Sequence, residues 1–214
     1  MLRILTYHRI AEPGAEPDLD PSLASATPET FARHAAHLAR HYQPVTLAQV
    51  LRAVTEREAL PGRAVLLTFD DAYRDFQEVA WPILRRHGLP ATLFVPTAYP
   101  DHPERTFWWD RLYASVAHSK RAAVDTPLGP LPLGAPDSRR ASLRRMQAHL
   151  KSLPHDAAMA ALEALCAELN AGAPPEPGRR DTVLVPTAAA RGVPPAEHPP
   201  LRSASREGTR SRSA

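Results

Sequence analysis

Apolar positions along the first hundred residues repeat in two different periods. Leu2 to Tyr7 is a short apolar run, read as a buried strand, and polar His8 and Arg9 follow it. Ala11 to Ala26 is rich in Pro, Asp and Glu and reads as a loop. Thr27-Pro28 then predicts a helix start, with Thr as N-cap and Pro at the first helical position. Phe31, Ala35, Leu38 and Tyr42 share one face of that helix, and Pro44 breaks the pattern. Thr46-Leu47-Ala48-Gln49 is a capping box that opens a second helix, with Leu47, Val50, Leu51 and Val54 expected inward.

Pro61-Gly62 is a turn, and the near-continuous apolar run Ala64 to Phe69 follows it. A strand apolar on both faces suits a parallel sheet covered by helices. Asp70 and Asp71 end the run. The next helical pattern turns Phe76, Val79, Ala80, Ile83 and Leu84 inward, with Pro82 kinking or restarting it. Gly88 sits where a helix ends in a left-handed residue, and Ala91 to Val95 reads as a further strand. This β-α-β unit predicts parallel strands joined by a right-handed crossover. Beyond a turn-rich stretch from Pro100 to Pro103, Thr106 to Asp110 opens another helix. Residues 138–170 read as a long helical stretch interrupted at Pro154. With strands near 2–7, 64–69 and 91–95, the expected fold is α/β, an open parallel sheet with an exposed edge prone to aggregate.

Composition adds limits. The chain has 214 residues and a formal net charge of +3, with 43% hydrophobic residues, which suits one globular domain. Its 24 prolines are about twice the number expected from average usage of about 5%. No basic face interleaved with aromatic residues is evident, so nucleic-acid binding is not expected. The lone cysteine, Cys166, cannot form an internal disulfide and reads as a small core residue. No stretch approaches the roughly 20 apolar residues of a membrane span, and no signal peptide is seen, so a cytoplasmic enzyme is the expectation. Ala171 to Ala214 holds eight prolines, seven arginines and no aromatic residue. It is expected to be a disordered Pro/Arg-rich tail behind a domain spanning 1–170.

The candidate chemistry lies in the two adjacent aspartates. Side by side, their like charge raises the pKa of one of them unless a cation is present. In a parallel α/β sheet the carboxyl ends of the strands form the functional rim. One Asp can bind a divalent metal there while the other acts as base toward a metal-bound water. The pair can equally cap the helix that follows. His8 ends the first strand and points at the same rim, either as a structural or substrate-contacting group or as a hydrogen-bonded core histidine. His37 and His41 form an i, i+4 pair, but His34, His37 and His41 read as the wet face of their helix rather than a metal site.

Leu66-Leu67-Thr68-Phe69-Asp70-Asp71 resembles the first motif of the polysaccharide deacetylase family, the NodB-homology domains of carbohydrate esterase family 4. Leu5-Thr6-Tyr7-His8-Arg9-Ile10 and the segment Trp81 to Val95 are similar to the family's opening strand and to the helix and strand after its motif. The agreement runs across residues 2–97, and the Trp108-Trp109-Asp110 helix resembles one branch of the family. The resemblance implies part of a distorted (β/α) barrel with a helical insertion over 106–170. It implies hydrolysis of N-acetyl, sometimes O-acetyl, groups on an amino-sugar polysaccharide or oligosaccharide. It makes Asp70 the general base and Asp71 a ligand of a divalent metal, zinc or alternatively cobalt or nickel.

Ala72 stands where many members have Gly, and a positive φ there costs on the order of 1 kcal/mol. No His-Ser/Thr-x-x-His motif follows Asp71, the Arg-x-Pro and Leu-x-His motifs are missing downstream, and His198 stands alone between prolines. A non-catalytic α/β fragment or pseudoenzyme that binds carbohydrate or a partner protein is therefore the alternative. The composition after Asn170 is what a GC-rich coding sequence yields in the wrong frame, so the chain is read as a truncated or frame-shifted deacetylase. Translating the other two frames downstream of about codon 180 should reveal a His-x-x-x-His segment; two frames without one would sink that expectation.

Overall fold

In the computed structural model, which describes residues 1–99, 102 and 105–170, the run Ala64–Phe69 becomes the centre of a parallel sheet. The strands in chain order are β1 (Arg3–Tyr7), β2 (Arg9–Ile10), β3 (Ala24–Ala26), β4 (Gln43–Pro44), β5 (Ala64–Phe69), β6 (Thr92–Leu93), β7 (Ala123–Val124) and β8 (Leu131–Pro132). The helices are α1 (Pro28–His41), α2 (Leu47–Thr55), α3 (Trp81–Arg86), α4 (Trp108–His118), α5 (Pro136–Ser152) and α6 (His155–Leu169). Every residue of β5 is buried, as an apolar run covered on both faces requires. β1 pairs with it from Arg3 opposite Val65 to Tyr7 opposite Phe69. Along its other edge β5 meets β4 at Ala64 and Val65, and β6 at Thr68 and Phe69.

The two faces of the sheet pack differently. Tyr7, Val65, Leu67 and Phe69 join Phe31, Ala35 and Leu38 of α1 and Ile83 and Leu84 of α3 in the main core. Aromatic rings fill its centre: Tyr7 stacks on Phe69 at 5.3 Å, and Phe31 meets both edge-on, at 5.1 and 5.8 Å. On the opposite face Ala64 and Leu66 are covered by Val45, Leu47 and Val50. Ile4 lies opposite Leu66 on that face and is 56% exposed. The first strand is thus an edge strand, half exposed rather than buried as its apolar run suggested.

Local signals act as their chemistry requires. Thr27 caps α1, accepting from the Thr30 amide, and Thr46 and Gln49 form the reciprocal capping box of α2. Gly88 adopts φ +63. Its amide bonds Arg85 O and the Leu89 amide bonds Leu84 O, a Schellman end to α3. Pro82 sits in the first turn of α3, where a missing N–H costs nothing, behind a π-helical turn over Phe76–Ala80. The helical backbone runs on without a break from Arg74 to Arg86, changing from π- to α-type bonding at Trp81.

Four expectations change. The segment read as loop up to Ala26 contains a 3-10 turn over Pro21–Leu23 and β3, which pairs with β2. Leu51 and Val54 do not face inward; they are 54% and 75% exposed, with nothing among the described residues covering them. The strand expected over 91–95 shortens to Thr92–Leu93, with one further bond from the Phe94 amide to Phe69 O. An antiparallel β7–β8 hairpin appears that was not expected, closed by a Thr126–Gly129 turn with Gly129 at φ +86. The turn expected at 100–103 lies outside the described residues except for His102, and so does the tail after 170.

α4, α5, α6 and the β7–β8 hairpin form a second core around Leu112, Val116, Met146, Leu150, Leu162 and Leu165, with buried Cys166 among them. The Arg139 guanidinium donates to the carbonyls of Val116, Ala117 and Ser119, capping α4 with a cation at its negative end. Phe69→Ala should destabilise the chain by about 3–5 kcal/mol, whereas Val54→Ala should change stability by less than about 0.5 kcal/mol. Urea unfolding of the two variants checks this; comparable losses would contradict the burial difference.

Candidate functional site

The last rung between β1 and β5 is the Asp70 amide donating to Tyr7 O at 3.0 Å. Beyond it the backbone leaves the sheet at once. Asp71 has φ 67 and Ala72 φ 49, two successive residues in the left-handed region without a glycine. Each costs on the order of 1–2 kcal/mol, which the surrounding structure must offset. This turn breaks the strand's alternation and leaves both aspartates half-buried at the rim. Neither caps the helical segment that follows, which starts only around Asp75.

His8 follows β1 as Asp70 follows β5, so the register places them on neighbouring strand ends. The His8 amide donates to Ser25 Oγ at 2.9 Å, fixing that corner to β3. Burial pushes the Asp71 carboxyl above its ordinary range; His8 opposes this and the Asp70 charge adds to it. The fold thus gathers Asp70, Asp71 and His8 at one rim.

Behind the rim lies a clamp that local patterning did not signal. Asp75 accepts from Arg9 Nε at 3.0 Å and from the Ile10 amide at 3.2 Å. The Arg9 guanidinium also lies 5.3 Å from the centre of the Tyr73 ring. Tyr73 is buried; its hydroxyl donates to Asp110 Oδ2 at 2.7 Å and accepts from Trp109 Nε1 at 2.8 Å. Burial raises the Asp110 carboxyl to about 6; the Tyr73 bond, Arg9 and the Asp20 backbone amide pull it down, while the Asp20 charge pushes it up. An acidic residue in the first turn of a helix is ordinary, so the sequence offered no sign that Asp110 points inward.

Among the described residues no group of three or more His, Cys, Asp or Glu could hold a metal ion. Asp71 and His8 supply at most two donors, fewer than a first-row divalent cation takes from protein. The His37 and His41 rings lie 4.6 Å apart on α1, but the charges of Arg40 and Arg63 beside them oppose a cation. Two clefts of about 360 Å³, one lined by Tyr99, Arg105, Thr106 and Arg111 and one by Trp81, Pro82, Arg85 and Arg86, do not reach the aspartates. The paired carboxylates stand on an open rim.

Residues 57–124, which include both aspartates, match the family model described as polysaccharide deacetylase. A poly-β-1,6-N-acetyl-D-glucosamine N-deacetylase of Escherichia coli (strain K12) is 32% identical over 99 residues, covering 46% of this chain and 14% of the relative. The chain thus spans about a seventh of the length of that curated relative. Among solved structures, the Streptococcus pyogenes deacetylase PplD in complex with acetate is similar at 29% identity and TM-score 0.40, over 47% of this chain and 44% of that one. IcaB from Ammonifex degensii is similar at 22% identity and TM-score 0.41, over 65% and 62%. The fold rests on its own strand pairing, these likenesses being loose. No helix among the described residues is long and apolar enough to cross a membrane.

The Asp110 carboxyl holds its proton more tightly folded than unfolded. Its contribution to stability is therefore full below the ordinary carboxylate pKa of about 4 and is lost as pH rises through about 6. Asp71 and Asp75 are shifted in the same direction. The stability difference between the native chain and Asp110→Asn should therefore move against the native chain from pH 4 to pH 6.5. Urea midpoints across that range measure it, and a difference that moves in its favour would refute the sign.

Proposed function

We propose, from the premise that the chain belongs to the polysaccharide deacetylase family, that residues 1–170 form the N-terminal part of a NodB-like domain hydrolysing acetyl groups on amino-sugar polymers. The observation that carries this reading is the convergence of Asp70, Asp71 and His8 at the carboxyl ends of β1 and β5. The substrate class, an N-acetylated (or O-acetylated) amino-sugar polysaccharide or oligosaccharide, is supported by the relative named for poly-β-1,6-N-acetyl-D-glucosamine.

In this reading Asp70 is the general base. It takes a proton from water as the water oxygen attacks the acetyl carbon; as the C–N bond breaks, the protonated carboxyl returns that proton to the departing nitrogen, leaving acetate and a free amine. His8 contacts the substrate from the neighbouring strand end. Asp71 is assigned to a divalent metal, zinc, cobalt or nickel. The described residues do not complete such a site.

That incomplete donor set favours one second reading, a non-catalytic member that binds carbohydrate or a partner protein. Acetate release from acetylated chito-oligosaccharides, with and without added zinc or cobalt, separates the two. The enzyme reading expects release, a loss of about 10²–10⁴-fold in Asp70→Asn, and stoichiometric metal that disappears in Asp71→Ala. No release together with no bound metal would leave the binding reading.

A further inference from the structure

We infer that Tyr73 and Asp110 are positioning residues: their hydrogen bond ties helix α4 to the Asp71–Ala72 turn and holds the two left-handed residues that aim the paired carboxylates. The inference rests on the reading of Asp70 and Asp71 as the working carboxylates, and it gives the helical segment a task at a rim to which it donates no reacting group.

The backbone at Asp71 and Ala72 is strained, with φ values of 67 and 49. Strain of this kind persists only where the surroundings over-determine it. Here the next residue supplies the restraint. Ala72 and Tyr73 are both buried in a small cluster with Leu19 and Phe107, the Tyr73 and Phe107 rings lying 5.4 Å apart. The Tyr73 hydroxyl is then held at 2.7 Å by Asp110 and at 2.8 Å by Trp109. Tyr73 and Asp110 are 37 residues apart in sequence, so the bond joins the rim loop to a separate packing unit.

Asp110 is a costly way to obtain packing. It is 3% exposed, and burying a carboxyl group carries a desolvation loss that an apolar side chain would avoid. What the carboxyl group supplies is an acceptor for the Tyr73 hydroxyl, which an apolar side chain would leave buried and unpaired. Arg9 reinforces the same loop by lying against the Tyr73 ring while pairing with Asp75. Tyr73 is thereby fixed at its ring and at its hydroxyl, and the preceding turn cannot relax without moving it.

The test uses the isotopically labelled full chain in solution NMR. Backbone chemical shifts and φ-dependent couplings at Asp71 and Ala72 report the left-handed conformation, and the Trp109 indole proton reports its bond to Tyr73. Tyr73→Phe keeps the ring and removes the hydroxyl; Asp110→Leu removes the acceptor; Asp110→Asn keeps an acceptor. The inference expects Tyr73→Phe and Asp110→Leu to shift or broaden the Asp71 and Ala72 signals away from left-handed values and to move the Trp109 indole proton. It expects Asp110→Asn to restore the native pattern, with amide protection in β5 and α1 unchanged. If Asp110→Leu unfolds, Tyr73→Phe decides alone. Left-handed signatures that persist in Tyr73→Phe, or an Asp110→Asn that fails to restore them, would overturn the inference. These readouts need neither turnover nor metal, so an absence of acetate release would fail the deacetylase reading and leave this test standing. Where release is measurable, kcat should fall by about 10²-fold in Tyr73→Phe with KM little changed.

Discussion

The Tyr7 carbonyl accepts the Asp70 amide at the final rung of the β1–β5 ladder, and the rest of the molecule is arranged around that bond. It sets the register in which Tyr7 faces Phe69, and the stacked rings then organise the main core with Phe31 and Phe76. It also ends both strands at the same height. The residue after β1 and the residues after β5 therefore share one rim. A slip of one residue would turn Leu67 and Phe69 away from α1 and separate His8 from the aspartates.

The rim itself is held against its own preferences. Two left-handed residues and a desolvated Asp71 are each unfavourable alone. The offset comes from elsewhere: Ala72 and Tyr73 are buried, Asp75 is bonded to Arg9 and Ile10, and Asp110 anchors the Tyr73 hydroxyl from α4. Strain at a candidate site, supported by hydrogen bonds just behind it, is the usual arrangement where carboxylates must stay in an unfavourable place.

What could be read from residues alone were features whose cause lies within a few positions. The Thr27 cap, the Thr46–Gln49 box, the Gly88 helix end and the two-faced strand at 64–69 all depend on local chemistry. The positive φ at Ala72 was raised only as a condition, from the Gly that many members of the resembling family carry there. The exposure of Leu51 and Val54 was not foreseen, because helical spacing shows which side chains share a face but not whether anything lies opposite. The β2–β3 pair escaped for the same reason, being a short pairing set by tertiary contacts, and the two-residue strands of the β7–β8 hairpin are too short to show an alternating pattern. Of the candidate site, the aspartates and His8 were legible because they terminate apolar runs. The clamp of Arg9, Tyr73, Asp75 and Asp110 was not, since its partners come together across 37 to 66 residues of chain.

The central claim is that the β1–β5 register brings Asp70, Asp71 and His8 to one rim. The most direct measurement is the solution nuclear Overhauser and hydrogen-exchange pattern at the end of β5. The account predicts a cross-strand contact between the Asp70 amide proton and the His8 α-proton, together with slow exchange of that amide. Free exchange of the Asp70 amide with no contact to the end of β1 would contradict it.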